Sequence, residues 1–247
     1  LVPVAAQSAP FVVTETSDSS PGIAVDAAGT AHLAWGTRTG TAYPYSYQVT
    51  YCQIPRGGTA CTNTEVINNP GNLNNFGSTQ VLLKDSQVVI LQSMCCGGGE
   101  GTIMRKSTDG GLTFPPPSFK VYTEPAGFSV FRSAQNAAGT GAMVNSYTGT
   151  RAGFISYDGS QFAASPPQHG GGEISGQSDV GWLNATQPFM TQQGYLTDHQ
   201  FTRLFNPAAT GYNIAGNWLA PTQIDTKLTE SAIATGPQGA FIAARTT

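Results

Sequence analysis

Four short stretches of this chain gather residue types that act on polar ligands. Residues 36–47, "GTRTGTAYPYSY", carry Arg38, Tyr43, Tyr45 and Tyr47. Residues 94–102, "MCCGGGEGT", place Glu100 among glycines. Residues 145–151, "NSYTGTR", hold Tyr147 and Arg151, and residues 197–203, "TDHQFTR", hold Asp198 and His199. Aromatic rings stack on the apolar face of a sugar while charged and polar groups fix its hydroxyls, so the combination suits a carbohydrate. A fifth stretch, residues 165–182, adds His169, Glu173 and Asp179. Glu100, Glu173, Asp179 and Asp198 are the carboxylates from which a glycoside-hydrolysing pair could be drawn. Any one of these residues, taken alone, reads more readily as part of a solvated loop, with Tyr packing on the rim. The case rests on the combination recurring.

Other chemistries leave no trace. There is no G-x-S-x-G elbow, no phosphate-binding P-loop, no H-E-x-x-H and no Cys/His set with zinc spacing, so neither a metal nor a cofactor is expected. The chain has 11 basic residues, no basic run and a net charge of −3. Binding to a nucleic acid needs clustered Lys and Arg to displace counterions, so that partner is not expected. No apolar run is long enough to span a membrane. Only 10% of residues are charged, and polarity comes from Thr, Ser, Asn, Gln and 30 glycines. This composition fits a secreted protein. The first ten residues, "LVPVAAQSAP", lack the charged start of an intact signal peptide and read as the trimmed end of a mature chain.

The elements that must position these loops are short strands bounded by Gly and Pro: "GIAV", "AHLAW", "QVTY", "QVLL", "QVVILQS", "TIMRKS", "GFIS" and "AFIAA". No long helical periodicity appears. A strand–turn–strand phrase, "VDAAGTAHLAW", returns closely as "QNAAGTGAMV". Weaker copies are "LLKDSQVVIL", "FMTQQGYLT" and "IATGPQGAFIA". The turns centre near Gly29, Ser86, Gly139, Gly194 and Gly239, at steps of 57, 53, 55 and 45 residues. A second marker, a strand ending in a turn, falls at Cys52, Ser107, Ser156 and Asn206, at steps of 55, 49 and 50. Two independent markers with one period define a four-stranded antiparallel unit: first strand, turn, second strand, loop, third strand, turn, fourth strand. Such units arranged radially make an all-β propeller, expected here as a single domain over residues 1–247. Four full units and one strand pair are legible. About five blades follow if the N-terminal segments "LVPVA" and "FVVTET" complete the last one. Otherwise the chain is part of a six-bladed ring.

One turn is unusually rich. In "RKSTDGGLTF", Ser107, Asp109, Gly111, Thr113 and Phe114 follow S-x-D-x-G-x-T-W, with Phe in the Trp place. A carboxylate in a tight turn accepts backbone N–H bonds, the glycines permit positive φ, and the aromatic packs between sheets. The stretch resembles the Asp-box of the sialidase-like BNR-repeat propellers. "SYDGSQF", with Ser156, Asp158 and Phe162, resembles a shortened second box. The resemblance implies that these hairpins are architecture and lie on the face away from the active site. It also implies three arginines for a substrate carboxylate, a Tyr/Glu nucleophile pair and an Asp acid/base. Arg38, Arg132, Arg151, Arg203 and Arg245 are present, but the family's F/Y-R-I-P segment is missing. The nearest approach is "VFRSAQ", in the wrong unit. Three readings therefore stand: a secreted propeller binding a glycan or other cell-surface ligand, a glycoside hydrolase, or a structural module of a larger extracellular assembly.

Cys52 and Cys61 flank the Pro/Gly loop "QIPRGGTA" and are expected to be bridged. Cys95 and Cys96 are adjacent and are either a strained vicinal disulfide or two thiols on opposite faces of a strand. His32, inside a strand, reads as a hydrogen-bonded core histidine. Asn184-Ala185-Thr186 is a single N-glycosylation sequon, meaningful only in a eukaryotic secretory host.

Overall fold

A computed structural model describes residues 11–14, 20–39, 46–68, 76–94, 101–115, 128–132, 134–135, 142–146, 152–155, 162–163, 179–184, 186–193, 200–211, 214–220, 222–225, 228–236 and 239–246. The described residues form seventeen strands in five antiparallel sheets. Sheet 1 is β1 (Gly22–Val25), β2 (Ala31–Thr39), β3 (Ser46–Ile54) and β4 (Asn63–Asn68), in that order. Sheet 2 is β5 (Phe76–Lys84), β6 (Gln87–Met94) and β7 (Gly101–Ser107). Sheet 3 is β8 (Phe128–Arg132), β9 (Ala142–Ser146), β10 (Ala152–Ile155) and β11 (Phe162–Ala163). Sheet 4 is β12 (Asp179–Trp182), β13 (Pro188–Gln193), β14 (Gln200–Leu204) and β15 (Thr222–Asp225), and sheet 5 is β16 (Leu228–Gly236) with β17 (Gly239–Thr246).

Every sheet is a meander, as the repeat predicts. The first strands neighbour one another in chain order, β1 beside β5, β5 beside β8, β8 beside β12 and β12 beside β16. Their approach is close. A Cβ at Gly22 would stand 2.6 Å from the Thr79 carbonyl oxygen and the Gln80 Cα, so only glycine fits where β1 meets β5. The core lies between sheets. Sheet 1 supplies Ala34, Val49, Tyr51 and Ile67, and sheet 2 supplies Val81, Leu83, Val88 and Ile90, closed over by Phe114. On sheet 2 these are alternate residues of each strand, the period of a sheet buried on that face. β6 is buried on both faces from Val88 to Gln92, so it reads as a continuous apolar run rather than an alternating one.

Two expectations are corrected. The fourth repeat is shifted by one strand. Its first strand is β12, "DVGW", which the periodicity left inside a long inter-sheet connection. All four residues of β12 are buried, so it lacks the alternation that marks a half-exposed strand. Gly194 consequently falls between β13 and β14 and is not a first turn; that turn is Leu183–Gln187, closed by the Leu183 N–H donating to the Gln187 carbonyl at 3.0 Å. At the N-terminus, residues 11–14 form no strand. Val13 packs instead on Trp35, Cys52 and Ile54 of sheet 1. Of the apolar residues of "FVVTET", Val13 is thus drawn to an existing sheet face, while Phe11 and Val12 are exposed. Residues 1–10, the other segment expected to complete sheet 5, lie outside the described residues.

The Cys52–Cys61 disulfide is present and closes the β3–β4 hairpin. Cys95 and Cys96 lie outside the described residues. No helix among the described residues is long and apolar enough to cross a membrane.

Candidate functional site

A meander has two ends. At one end lie the turns that join first to second strands and third to fourth strands. At the other end lie the connections between second and third strands. All eight candidate ligand residues belong to the second end. Arg38 is on β2, one residue before its end, exposed and paired across the sheet with Tyr47. Tyr43 and Tyr45 fall between β2 and β3, Glu100 between β6 and β7, Tyr147 and Arg151 between β9 and β10, and Asp198 and His199 between β13 and β14. All seven lie outside the described residues. The strand ends that bracket them, Thr39 with Ser46, Met94 with Gly101 and Gln193 with Gln200, are paired termini of the second and third strands. Ser107 pairs with Val88 at the other end of β6 and β7. The connection holding Glu100 and the turn holding Asp109 therefore leave sheet 2 from opposite ends. Glu173 and His169 also lie outside the described residues.

Two candidates for substrate chemistry are spent on the fold. Asp179 opens β12 and is buried. Its Oδ1 accepts the Val180 N–H at 2.8 Å and its Oδ2 accepts the Ile233 N–H at 2.6 Å, which ties sheet 4 to β16. Arg203 is buried on β14, and its Nη2 donates to the Trp218 carbonyl at 3.4 Å. Burial pushes the Arg203 guanidinium down to about 10, and Arg105, buried on β7, likewise. Neither Asp179 nor Arg203 is open to a ligand. Among the described residues no three His, Cys, Asp or Glu side chains converge as metal ligands.

The turn end is built more fully than the sequence indicates. The Ser107–Phe114 turn makes the bonds its spacing predicts. Ser107 Oγ donates to Asp109 Oδ1 at 2.6 Å and accepts the Gly111 N–H at 2.8 Å. The Thr113 N–H reaches Asp109 Oδ1 at 3.0 Å, and Thr113 Oγ1 donates to Asp109 Oδ2 at 2.6 Å. Ser107, then Thr113, hold the Asp109 carboxyl well below the usual carboxylate range. Gly110 and Gly111 sit at φ of 78° and 89°, where an L side chain is strained. The Gly110 N–H also donates to the Ser86 carbonyl at 2.7 Å, strapping this turn to the β5–β6 turn.

Sheet 1 meets this turn with a polar chain. Gln53 Nε2 donates to the Gly110 carbonyl and to Tyr51 Oη, the latter at 3.0 Å. Asn63 Nδ2 donates to the Gly111 carbonyl at 2.9 Å. Tyr51 Oη lies 2.5 Å from His32 Nδ1, and His32 Nε2 lies 3.3 Å from Asp26 Oδ2. The Asp26 carboxylate only accepts, which calls for a proton on His32 Nε2; in that tautomer Nδ1 accepts from the Tyr51 phenol, whose oxygen takes the Gln53 N–H. Burial raises the Asp26 carboxyl, but the Thr30 N–H, 2.8 Å from its Oδ1, and His32 outweigh it and leave it below its ordinary value. Burial pushes the Tyr51 phenol up to about 12. Tyr51 also meets Phe114 edge-on, with ring centroids 4.9 Å apart. His32 is thus the hydrogen-bonded core histidine the sequence indicates. Its partners carry no sequence signal, because Asp26 reaches it across the β1–β2 hairpin and Tyr51 only when β3 pairs with β2. Asp158 and Ser156 lie outside the described residues; β10 and β11 bracket them at the corresponding third-to-fourth turn.

No family model matches the sequence, and no curated protein matches it. Solved structures do. A protein of unknown function from Dyadobacter fermentans DSM 18053 is similar at 11% identity and TM-score 0.59, over 96% of this chain and 81% of that one. The Hadza microbial sialidase Hz136 is similar at 11% identity and TM-score 0.55, over 83% of this chain. The match spans 46% of the sialidase, so this chain corresponds to about half of that protein. A weaker likeness, at 11% identity and TM-score 0.43, is to the catalytic domain of a Coprinopsis cinerea GH62 α-L-arabinofuranosidase, over 86% of this chain and 72% of that domain. The likeness to Hz136, a propeller enzyme, places the meander sheets described above in a β-propeller fold.

Proposed function

We propose that this chain is a secreted, single-domain propeller of about five blades that binds a glycan at the end of the sheets where second strands pass to third strands. One observation carries the reading: seven residues of sugar-binding type fall on the same kind of connection in four different sheets. In a radial arrangement those connections gather around one mouth, with Tyr43, Tyr45 and Tyr147 as stacking surfaces and Arg38, Arg151, Glu100, Asp198 and His199 as polar contacts. At sheets 1 and 2 the opposite end is occupied by its own turn network, which supports the mouth as the site. The Cys52–Cys61 disulfide supports secretion, since such bonds persist in oxidising compartments.

Hydrolysis of the bound glycoside is the second reading. It is supported by the sialidase among the structural neighbours and by Glu100 and Asp198 on equivalent connections. Glycan-array binding with a panel of chromogenic glycosides tests both. The expected result is retention of at least one glycan, lost when Tyr43, Tyr45, Glu100, Tyr147 and Arg151 are replaced by Ala. Turnover of a glycoside that Glu100→Gln or Asp198→Asn abolishes without loss of retention selects the hydrolase. Retention of no glycan, or retention that survives the five replacements, overturns the site.

A further inference from the structure

The structure also points to a covalent modification site, independent of the glycan-binding reading. We propose that Asn184 is an attachment site for an N-linked oligosaccharide. Asn184 and Thr186 of the sequon lie in the β12–β13 turn and are both exposed. The side chain is arranged for transfer. Asn184 Oδ1 accepts the Thr186 N–H at 3.0 Å and lies 3.2 Å from Thr186 Oγ1. These bonds hold the sequon's two polar side chains together. Asn184 Nδ2 donates to Gln187 Oε1 at 3.2 Å, on the open side of the turn.

The modification leaves the turn's bonds in place. In the transfer, Nδ2 forms a bond to the anomeric carbon of a lipid-pyrophosphate-linked oligosaccharide. The carbon–oxygen bond to the pyrophosphate breaks, the lipid pyrophosphate leaves with that electron pair, and one Nδ2 proton passes to a base of the transferase. The product is a secondary amide that keeps one N–H, so the bond to Gln187 can persist. Oδ1 is not consumed, so both Thr186 bonds persist as well. The turn is closed by backbone, Leu183 N–H to the Gln187 carbonyl, and needs nothing from Asn184. A second, independent observation supports secretion: the Cys52–Cys61 disulfide is of the kind that persists in oxidising compartments, and the eukaryotic secretory lumen, one of these, also holds the transferase. The turn belongs to the end of sheet 4 occupied in sheets 1 and 2 by the Asp26 and Ser86 turns, so the oligosaccharide projects from the end away from the proposed mouth.

The test is secretion of this chain from yeast, followed by peptide mapping after enzymatic release of N-glycans in heavy-oxygen water, which marks each released site as heavy Asp. The expected result is a marked residue 184 in the wild type and in Thr186→Ser, and an unmarked one in Asn184→Gln and Thr186→Ala. All secreted forms, deglycosylated, are expected to melt together. Secreted wild-type protein with an unmarked residue 184 overturns the proposal. So does a glycan that persists in Asn184→Gln.

Discussion

The two ends of the sheets are built on different physics. At the turn end, sheets 1 and 2 are joined by a continuous polar chain running from Asp26 through His32, Tyr51 and Gln53 to the Gly110 carbonyl, and by Asn63 donating to the Gly111 carbonyl. The donors and acceptors named in this chain find one another, and a buried network of that kind is rigid and costly to disturb. At the mouth end, the candidate residues sit on connections rich in Gly, Tyr and Thr, with no comparable partner pattern legible in sequence. The contrast separates the positions whose replacement should cost stability from those whose replacement should cost binding.

Gly111→Ala should have the largest effect. A Cβ there meets the Tyr51 ring, 2.6 Å from Cζ, at a φ of 89°. Steric overlap and backbone strain together predict a loss of about 3 kcal/mol, read by denaturant unfolding. Ligand retention by the folded fraction should be unchanged; a stable Gly111→Ala would show that sheet 1 does not clamp this turn.

Next is the double change Cys52→Ser with Cys61→Ser, which should cost about 2 kcal/mol, given the short loop the bridge closes. Equal stability in the oxidised and reduced wild type would break that expectation.

Tyr51→Phe should cost about 1 kcal/mol at neutral pH, from the bonds to His32 and Gln53. Its stronger signature is alkaline. The unfolded phenol ionises near 10 and the folded one holds its proton to about 12, so wild-type stability falls as pH rises through that window. Arg105 and Arg203, pushed down to about 10, act with the opposite sign over a similar range. Tyr51→Phe keeps both arginines, so the difference between the two proteins isolates the phenol. Parallel alkaline profiles would remove Tyr51 from the network.

Asp109→Ala should lower the melting temperature less at neutral pH, because the turn is exposed and water can replace part of what the carboxylate provides. Its effect depends on acid. The Asp109 carboxyl is held below its ordinary 3.8, so its contribution is complete above that value and fades as pH falls below it. The wild type should lose stability in acid faster than Asp109→Ala. The smallest stability effect belongs to the mouth: alanine at Tyr43, Tyr45, Glu100, Tyr147 and Arg151 should leave the melting temperature unchanged while removing retention of a glycan. A marked drop in melting temperature would make these residues structural and erase the contrast.

Much of the fold is legible in the chain because each meander sheet repeats a local pattern. The turns at Gly29 and Ser86 and the strand ends at Cys52, Ser107 and Asn206 are announced by residues that must adopt special backbone or cap a turn. The internal bonds of the Ser107–Phe114 turn are readable one by one, since those partners lie within seven residues. β12 was not readable as a first strand. A strand buried on both faces shows no alternation, and its Asp and Gly imitate a loop.

The sequence by itself determined the strand content, the repeat, the chemistry of the Asp109 turn and which residue types lie on the connections between second and third strands. Local backbone preference and short-range hydrogen bonds settle those. Only the tertiary structure decided that Asp179 and Arg203 are spent inside the fold, that His32 donates toward Asp26 while accepting from Tyr51, and that Gly111 must be glycine because a tyrosine sixty residues earlier in the chain occupies the space its Cβ would need. Each of those depends on strands from different sheets, or distant parts of one sheet, coming into contact. No property of the residues taken alone specifies that contact, because it is set by which faces must be buried together.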